Sequence, residues 1–319
     1  MIKISKDSAL AAEILNNNKV IGFPTETVYG LAGNIFSEQA ITSIFEIKKR
    51  PRFNPLIVHI AKIDELAKIA KEIPENALKL AEQFWPGPLT LLLKKRDNVP
   101  DYITAGKDSV AVRIPNHELA LEILNAVDFP LAAPSANPFG SISPTTAQHV
   151  ADFFPTQVEA VFDGGACQNG IESTIVGFDG NKVIIYRLGA ISIEDIENIV
   201  GKTERLTLDE NVPIAPGMLK KHYSPKTNFV LSNAVEVELL KHKNLKIGVL
   251  SFTKNYISNY IKAIEILSPN RDFKEASRKL YAAMHRLDKQ NLDIIISEIF
   301  PDHDLGKSIN DRLSRAAEK

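Results

Sequence analysis

Several blocks of this sequence hold residue types that can do chemistry. Pro24-Thr25-Glu26-Thr27-Val28-Tyr29-Gly30-Leu31 follows an apolar run and places hydroxyls and a carboxylate at a strand end. A small polar ligand or a hydrogen-bonded turn would each use that set. Lys48-Lys49-Arg50-Pro51-Arg52-Phe53-Asn54-Pro55-Leu56 puts four cations into five positions where a helix ends. Cations there suit the helix dipole and can be a cap. Two prolines also stiffen the loop, and a stiff cationic loop fits an anion, phosphate above all, because the arginine fork matches it bidentately. His59, on the next strand, reads by default as a core or edge histidine. In Asp108–Pro115, alternation puts Ser109, Ala111 and Arg113 on one face, so Arg113 is a surface residue or a ligand clamp. Ala133-Pro134-Ser135-Ala136-Asn137-Pro138 is followed by Ser141, Ser143, Pro144, Thr145 and Thr146. These small, rigid positions allow close approach of a ligand, and Ser143 or Thr145 can cap the next helix. Asp163-Gly164-Gly165, Glu172-Ser173-Thr174, Tyr186-Arg187-Leu188-Gly189 and Pro216-Gly217 with Lys220-Lys221-His222-Tyr223-Ser224-Pro225 complete the set.

Other chemistries are excluded. The sequence has no Walker loop, no GxGxxG after a strand, no HExxH and no GxSxG. No Ser-His-Asp or Cys-His set is legible. Cys167 is the one cysteine, which rules out an internal disulfide and a multi-cysteine metal site. It reads as incidental, and Trp85 reads as a core anchor beside a turn. A formal charge of −1 argues against a globally basic nucleic-acid coat. The apolar runs are too short for a membrane span, and the N-terminus meets polar residues too early for a signal-peptide core. A cytoplasmic protein is expected.

The elements that must position these residues follow from periodicity. At 319 residues, two domains are expected. Helical spacing predicts helices over 7–17, from Ser37 to Lys48, over 63–72, 74–84, 117–126 and 192–199. Short apolar runs predict strands over 19–23, 56–60, 89–94, 110–114, 160–162, 174–178 and 183–187. The mixture lacks a regular βαβ beat, which points to an α/β sheet of mixed direction. Residues 201–227, with three prolines and no periodicity, read as a linker or functional loop. Strands near 228–232, 246–251 and 293–297, with helices near 273–288 and 308–317, form a second small α/β unit. The expected division is thus 1–200, a linker at 201–227, and 228–319.

In this order the motifs resemble the YrdC-type L-threonylcarbamoyladenylate synthases in their longer two-domain form. PTETVYGL, the K-x-R-P-x-x-N-P-L-I-V-H block, WPGPLT, VAVRIP, PSAN with SPTT, ESTIV and YRLGAI carry the resemblance, as do PGMLKKHYSP and GKSINDRLSRAA. One departure is Lys49, where the family often has glycine; another is Ala32-Gly33-Asn34 after PTETVYGL. The resemblance implies a YrdC-like twisted mixed sheet with a positively charged concave face, plus a small Rossmann-like C-terminal α/β domain. It implies condensation of L-threonine, bicarbonate or CO2 and ATP to threonylcarbamoyl-AMP and pyrophosphate, with Mg2+ on the phosphates and no Mg2+ ligand assigned among the protein side chains. A separate transferase system would pass the product to tRNA. Thr27, His59, Arg113, Ala133 through its backbone, and Ser173 match positions that contact threonine. Arg50, Asn54, Ser109, Ser135, Ser143, Arg187 and Tyr223 match positions that contact ATP. Lys48 and Arg50 would neutralise charge in the reaction, and the linker would be a lid. An RNA-binding module using the basic face, with direct tRNA contact, is the alternative. A carbamoyl-transferring or nucleotide-hydrolysing relative on the same fold is a third reading.

Overall fold

The computed structural model describes residues 2–206, 215–218 and 222–318. Pro213, Lys220 and Lys221 of the linker motifs lie outside the described residues. Two sheets organise the chain. The larger is mixed and runs in the order Lys3–Ser5, Ala160–Phe162, Ile21–Phe23, Gly30–Asn34, Leu131–Ala132, Ile57–His59, Ser109–Arg113, Leu89–Lys95, Thr174–Asp179, Lys182–Arg187, Glu204–Arg205. The smaller is parallel throughout, in the order Asn228–Ser232, Ile294–Glu298, Ile247–Ser251, Ile261–Ile266. Helices Val235–Lys241, Phe273–Asp288 and Leu305–Ala317 belong to this second unit. No helix among the described residues is long and apolar enough to cross a membrane.

Local chemistry explains most element starts. The Asp7 carboxylate accepts from the amides of Ala9 and Leu10 to open Ser8–Asn16, and Ser37 opens Glu38–Lys48 through the amide of Ala40. Lys49 ends that helix in the left-handed region at φ 52°, with Arg50 N donating to Phe45 O at 2.9 Å. Glycine takes this conformation freely, so the Lys49 departure falls where a side chain costs most. Thr146, not Ser143 or Thr145, caps Ala147–Phe153 by accepting from His149 N at 3.2 Å. Ser143 is turned to Glu172 instead.

The expected helix over 63–72 breaks into a 3-10 turn, Ile63–Glu65, and one helical turn, Leu66–Ile69. Ala70–Lys71 then pairs with Lys94 and Lys95, at the end of Leu89–Lys95 that runs past its pairing with Thr174–Gly177. Gly30–Asn34 is a strand that periodicity does not predict. Two glycines lower its strand propensity, yet partners on both sides hold it as a strand. Leu131–Ala132 and Ile261–Ile266 are likewise strands that periodicity does not predict.

The two units share a core. Val28, Ile142 and Ile171 of the first are buried in one cluster with Tyr281, Met284 and Leu313 of the second. On the face of the large sheet, Ile57, Leu92, Ala111 and Ile175 bury Ala215, with Met218 packed against them. Part of the linker therefore lies on the first unit.

Candidate active site

Register brings chain-distant residues together on the interior strands of the large sheet. Ile57–His59 and Ser109–Arg113 are parallel, and His59 pairs with Arg113 at their shared end. Gly30 bridges to Ser135, which brings the loop after Phe23 against the loop after Ala132. Lys182–Arg187 returns antiparallel to Thr174–Asp179, and Ile175 pairs with Arg187, so Arg187 meets Ser173. Gly189 passes so close to this turn that a Cβ there would lie 2.3 Å from the backbone of Ser173. The result is a cleft lined by Thr27, Arg50, His59, Arg113, Ala133, Ser135, Glu172, Ser173 and Arg187. Pro216, Gly217, His222 and Tyr223 close it from the linker.

Three arginines dominate the cleft. Arg113 is held by two hydrogen bonds and an ion pair: Nε donates to Gly87 O at 3.2 Å, one terminal nitrogen donates to Thr27 Oγ1 at 2.8 Å, and the other lies 2.7 Å from the Glu26 carboxylate. Arg50 donates from Nε to Asn54 O at 3.2 Å and from a terminal nitrogen to Pro55 O at 2.8 Å. Arg187 donates to Ser173 O at 2.7 Å, to Ser173 Oγ at 3.0 Å and to Pro216 O at 3.2 Å, tying the wall to the linker. These groups are preorganised, so little reorganisation is needed to meet an anion.

Burial and crowded positive charge shift the neighbouring groups. Burial, aided by Arg187, pushes Arg50 down to about 9, although Tyr223 acts against this. Burial, with Arg113 beside it, holds His59 down to about 3, so its ring is neutral. Burial and the cations Arg50 and Lys48 hold His222 well below the usual histidine range. Both amide atoms of the Asn54 side chain and Nδ1 of His59 are buried without a hydrogen-bond partner. Such orphans are costly unless a ligand meets them.

Several expected residues lie outside this lining. Lys48 is 1% exposed, and its ammonium donates to the carbonyls of Ser135 and, at 2.6 Å, Asn137. It staples the basic block to the Ser135 loop and is not among the residues that line the cleft. Burial, with Arg50 nearby, lowers its pKa well below the lysine range. Ser143 stands behind the wall, its hydroxyl 2.6 Å from Glu172. Ser109 begins the strand that ends in Arg113, and extending the Ile57↔Ala111 register puts it beside Pro55, next to Asn54. The sequence motifs offer the Glu26 carboxylate to a polar ligand or a turn and assign Glu172 no partner; the structure pairs both with arginines. Sequence reasoning missed Arg312 and Tyr281, which reach Glu172 from the second unit. The available signal was an arginine on the buried face of the terminal helix, four residues after Ser308.

Two family models match this chain. One, described as telomere recombination and named for Sua5, YciO and YrdC, covers residues 13–189. The other, described as the C-terminal domain of threonylcarbamoyl-AMP synthase, covers residues 191–318. The chain is 38% identical to the threonylcarbamoyl-AMP synthase of Pyrococcus abyssi, over 97% of this chain and 93% of that protein. It is 38% identical to that of Bacillus subtilis, over 97% of this chain and 92% of the relative. The crystal structure of P. abyssi Sua5 complexed with L-threonine superposes with a TM-score of 0.91 at 36% identity, over 99% of this chain and 97% of that one. With both domain models matched in order and full-length relatives at this identity, the chain belongs to the threonylcarbamoyl-AMP synthase family, in its two-domain form.

Proposed function

We propose that this chain condenses L-threonine, bicarbonate or CO2 and ATP into threonylcarbamoyl-AMP and pyrophosphate, supplying the threonylcarbamoyl group that a separate transferase places on tRNA. The observation that carries this reading is a pair of anion stations in one cleft. Arg113 lies beside Thr27 and His59, while Arg187, bonded to Ser173 and Pro216, and Arg50 line the cleft together with the linker residues. The first suits an amino-acid carboxylate and the second a triphosphate.

The chemistry needs no covalent enzyme intermediate. The threonine amine attacks the carbon of CO2, opening one C=O bond and releasing its proton to solvent, or that of bicarbonate, where a C–O bond breaks and the leaving hydroxide takes the amine proton away as water; either route gives a carbamate. A carbamate oxygen then attacks the α-phosphorus, and pyrophosphate leaves with the electrons of the broken P–O bond. The protein's task is orientation, charge stabilisation and exclusion of water. Thr27, neutral His59, Arg113, the Ala133 backbone and Ser173 hold threonine. Arg50, Ser135, Arg187 and Tyr223 hold the nucleotide, with Asn54 and Ser109 as its far contacts and Ser143 behind Glu172. Lys48 keeps Ser135 in place.

Mg2+ fits this site as a passenger on the triphosphate, where it would offset phosphate charge. Among the described residues no group of three or more His, Cys, Asp or Glu side chains could hold a metal. The carboxylates of Glu26 and Glu172 are both engaged by arginines. The reading divides the chain at 1–200, 201–227 and 228–319 with the linker as a lid, and two contacts of its described residues support this: Arg187 donates to Pro216 O at 3.2 Å and Ser224 N to Gly140 O at 2.8 Å. The concentration of arginine at the cleft supports a positively charged concave face used for substrates. The decisive experiment is an omission series of pyrophosphate release. Release should require threonine, bicarbonate and ATP together, and release without threonine overturns the reading.

A further inference from the structure

The buried Glu172 carboxylate has an unusual set of partners. On the side of the first unit it accepts from Ser143 Oγ at 2.6 Å. Among the described residues, its other hydrogen bonds come from the second unit. Tyr281, on Phe273–Asp288, donates its hydroxyl at 3.0 Å, and Arg312, on Leu305–Ala317, donates from Nε and a terminal nitrogen at 3.2 Å each. Arg312 is 0% exposed and Glu172 6% exposed. Glu172 lines the cleft and directly precedes Ser173, whose backbone and hydroxyl receive Arg187.

The same two residues also hold the linker. The Arg312 guanidinium lies 5.5 Å from the ring centroid of Tyr223, and the Tyr281 ring lies 5.6 Å from it. Tyr223 is held at φ 63°, a conformation a side chain adopts only when its surroundings impose it. One turn before Arg312, Ser308 Oγ donates to Gly189 O at 2.8 Å, gripping the far end of the Arg187 turn.

We infer that Arg312 and Tyr281 are positioning residues for the reaction: by clamping the Glu172 carboxylate and the Tyr223 ring together, the C-terminal unit sets the wall and the lid of a cleft whose substrate contacts all lie outside it. A buried carboxylate keeps its place only while its partners hold it, so loss of either donor lets the 172–173 turn shift. A displacement of this kind costs catalysis more than affinity. This inference rests on the synthase reading for its activity readout alone.

The test uses the full chain in the variants Tyr281→Phe and Arg312→Lys, each assayed well below its own melting midpoint. Arg312→Lys should lower kcat about tenfold to a hundredfold, with the KM for threonine moving far less. Tyr281→Phe, which keeps the ring, should fall in the same direction by a smaller factor. Both should speed amide hydrogen exchange at 172–176 and 222–224. In a double-mutant cycle, Arg312→Met should cost less kcat in a Glu172→Gln background than in the native one, because the arginine acts through that carboxylate. Folded variants with native kcat and native exchange overturn the inference, and so does strict additivity in the cycle. A native chain that releases no pyrophosphate overturns the synthase reading instead, and the exchange experiment then decides the clamp by itself.

Discussion

Arg113 shows why a ligand clamp must be probed with care. Its guanidinium is the sole ionic partner described for the buried Glu26 carboxylate, and it also braces Thr27 and Gly87. Arg113→Ala would strand that carboxylate and is expected to cost about 3–5 kcal/mol of stability before any ligand is considered. Arg113→Lys keeps the charge and loses the fork. It should weaken threonine binding by about 2–4 kcal/mol with little change for ATP, as read by titration calorimetry with each ligand. Equal losses for both ligands would make the arginine a structural brace only.

The helix that delivers the basic block ends on Lys49 at φ 52°, where the family often has glycine. Its amide bonds to Glu46 O at 3.0 Å, so the backbone is already arranged for a left-handed cap. Lys49→Gly is therefore expected to stabilise the chain by about 0.5–1 kcal/mol in urea unfolding, with pyrophosphate release retained. A loss of stability would mean that the lysine side chain contributes something its exposed position does not suggest. The terminal helix Leu305–Ala317 is the converse case. Its periodic apolar face announces burial, yet the residue that matters on that face is charged.

For the molecule entire, the shared core sets the response to truncation and to acid. Cutting after residue 200 uncovers Val28, Ile142 and Ile171 and removes both helices that hold Glu172. The shortened chain should lose its cooperative melting transition and its turnover together. A sharp, native-like transition in that fragment would show that the first unit folds alone. Acid should loosen the same seam. Burial holds His149 down to about 3 and His285 down to about 4, the two rings meeting at 4.0 Å between the units, and His59 is held to about 3 in the first. The folded values lie below the unfolded ones, so the unfolded chain binds more protons in this range. Their contribution is complete above about pH 6.5 and is lost as pH falls toward 3–4, on the order of 1–2 kcal/mol per histidine by pH 5. Urea midpoints at pH 7.5 and pH 5 check this; equal midpoints would refute it.

Motif order in the sequence determined the family, the reaction class and the pieces of the cleft, because residues fixed by chemistry keep their type and spacing along the chain. Helix starts at Asp7, Ser37 and Ser192 were legible for the same reason: a cap is a local hydrogen bond. Tertiary structure alone decided the rest. A strand with two glycines, Gly30–Asn34, forms because its neighbours on both sides complete its ladder. The Lys48 ammonium is taken up by two carbonyls of a distant loop. Arg312 meets Glu172 across 140 positions of sequence. Burial and charge pairing are properties of what surrounds a group in space, and no local pattern encodes them.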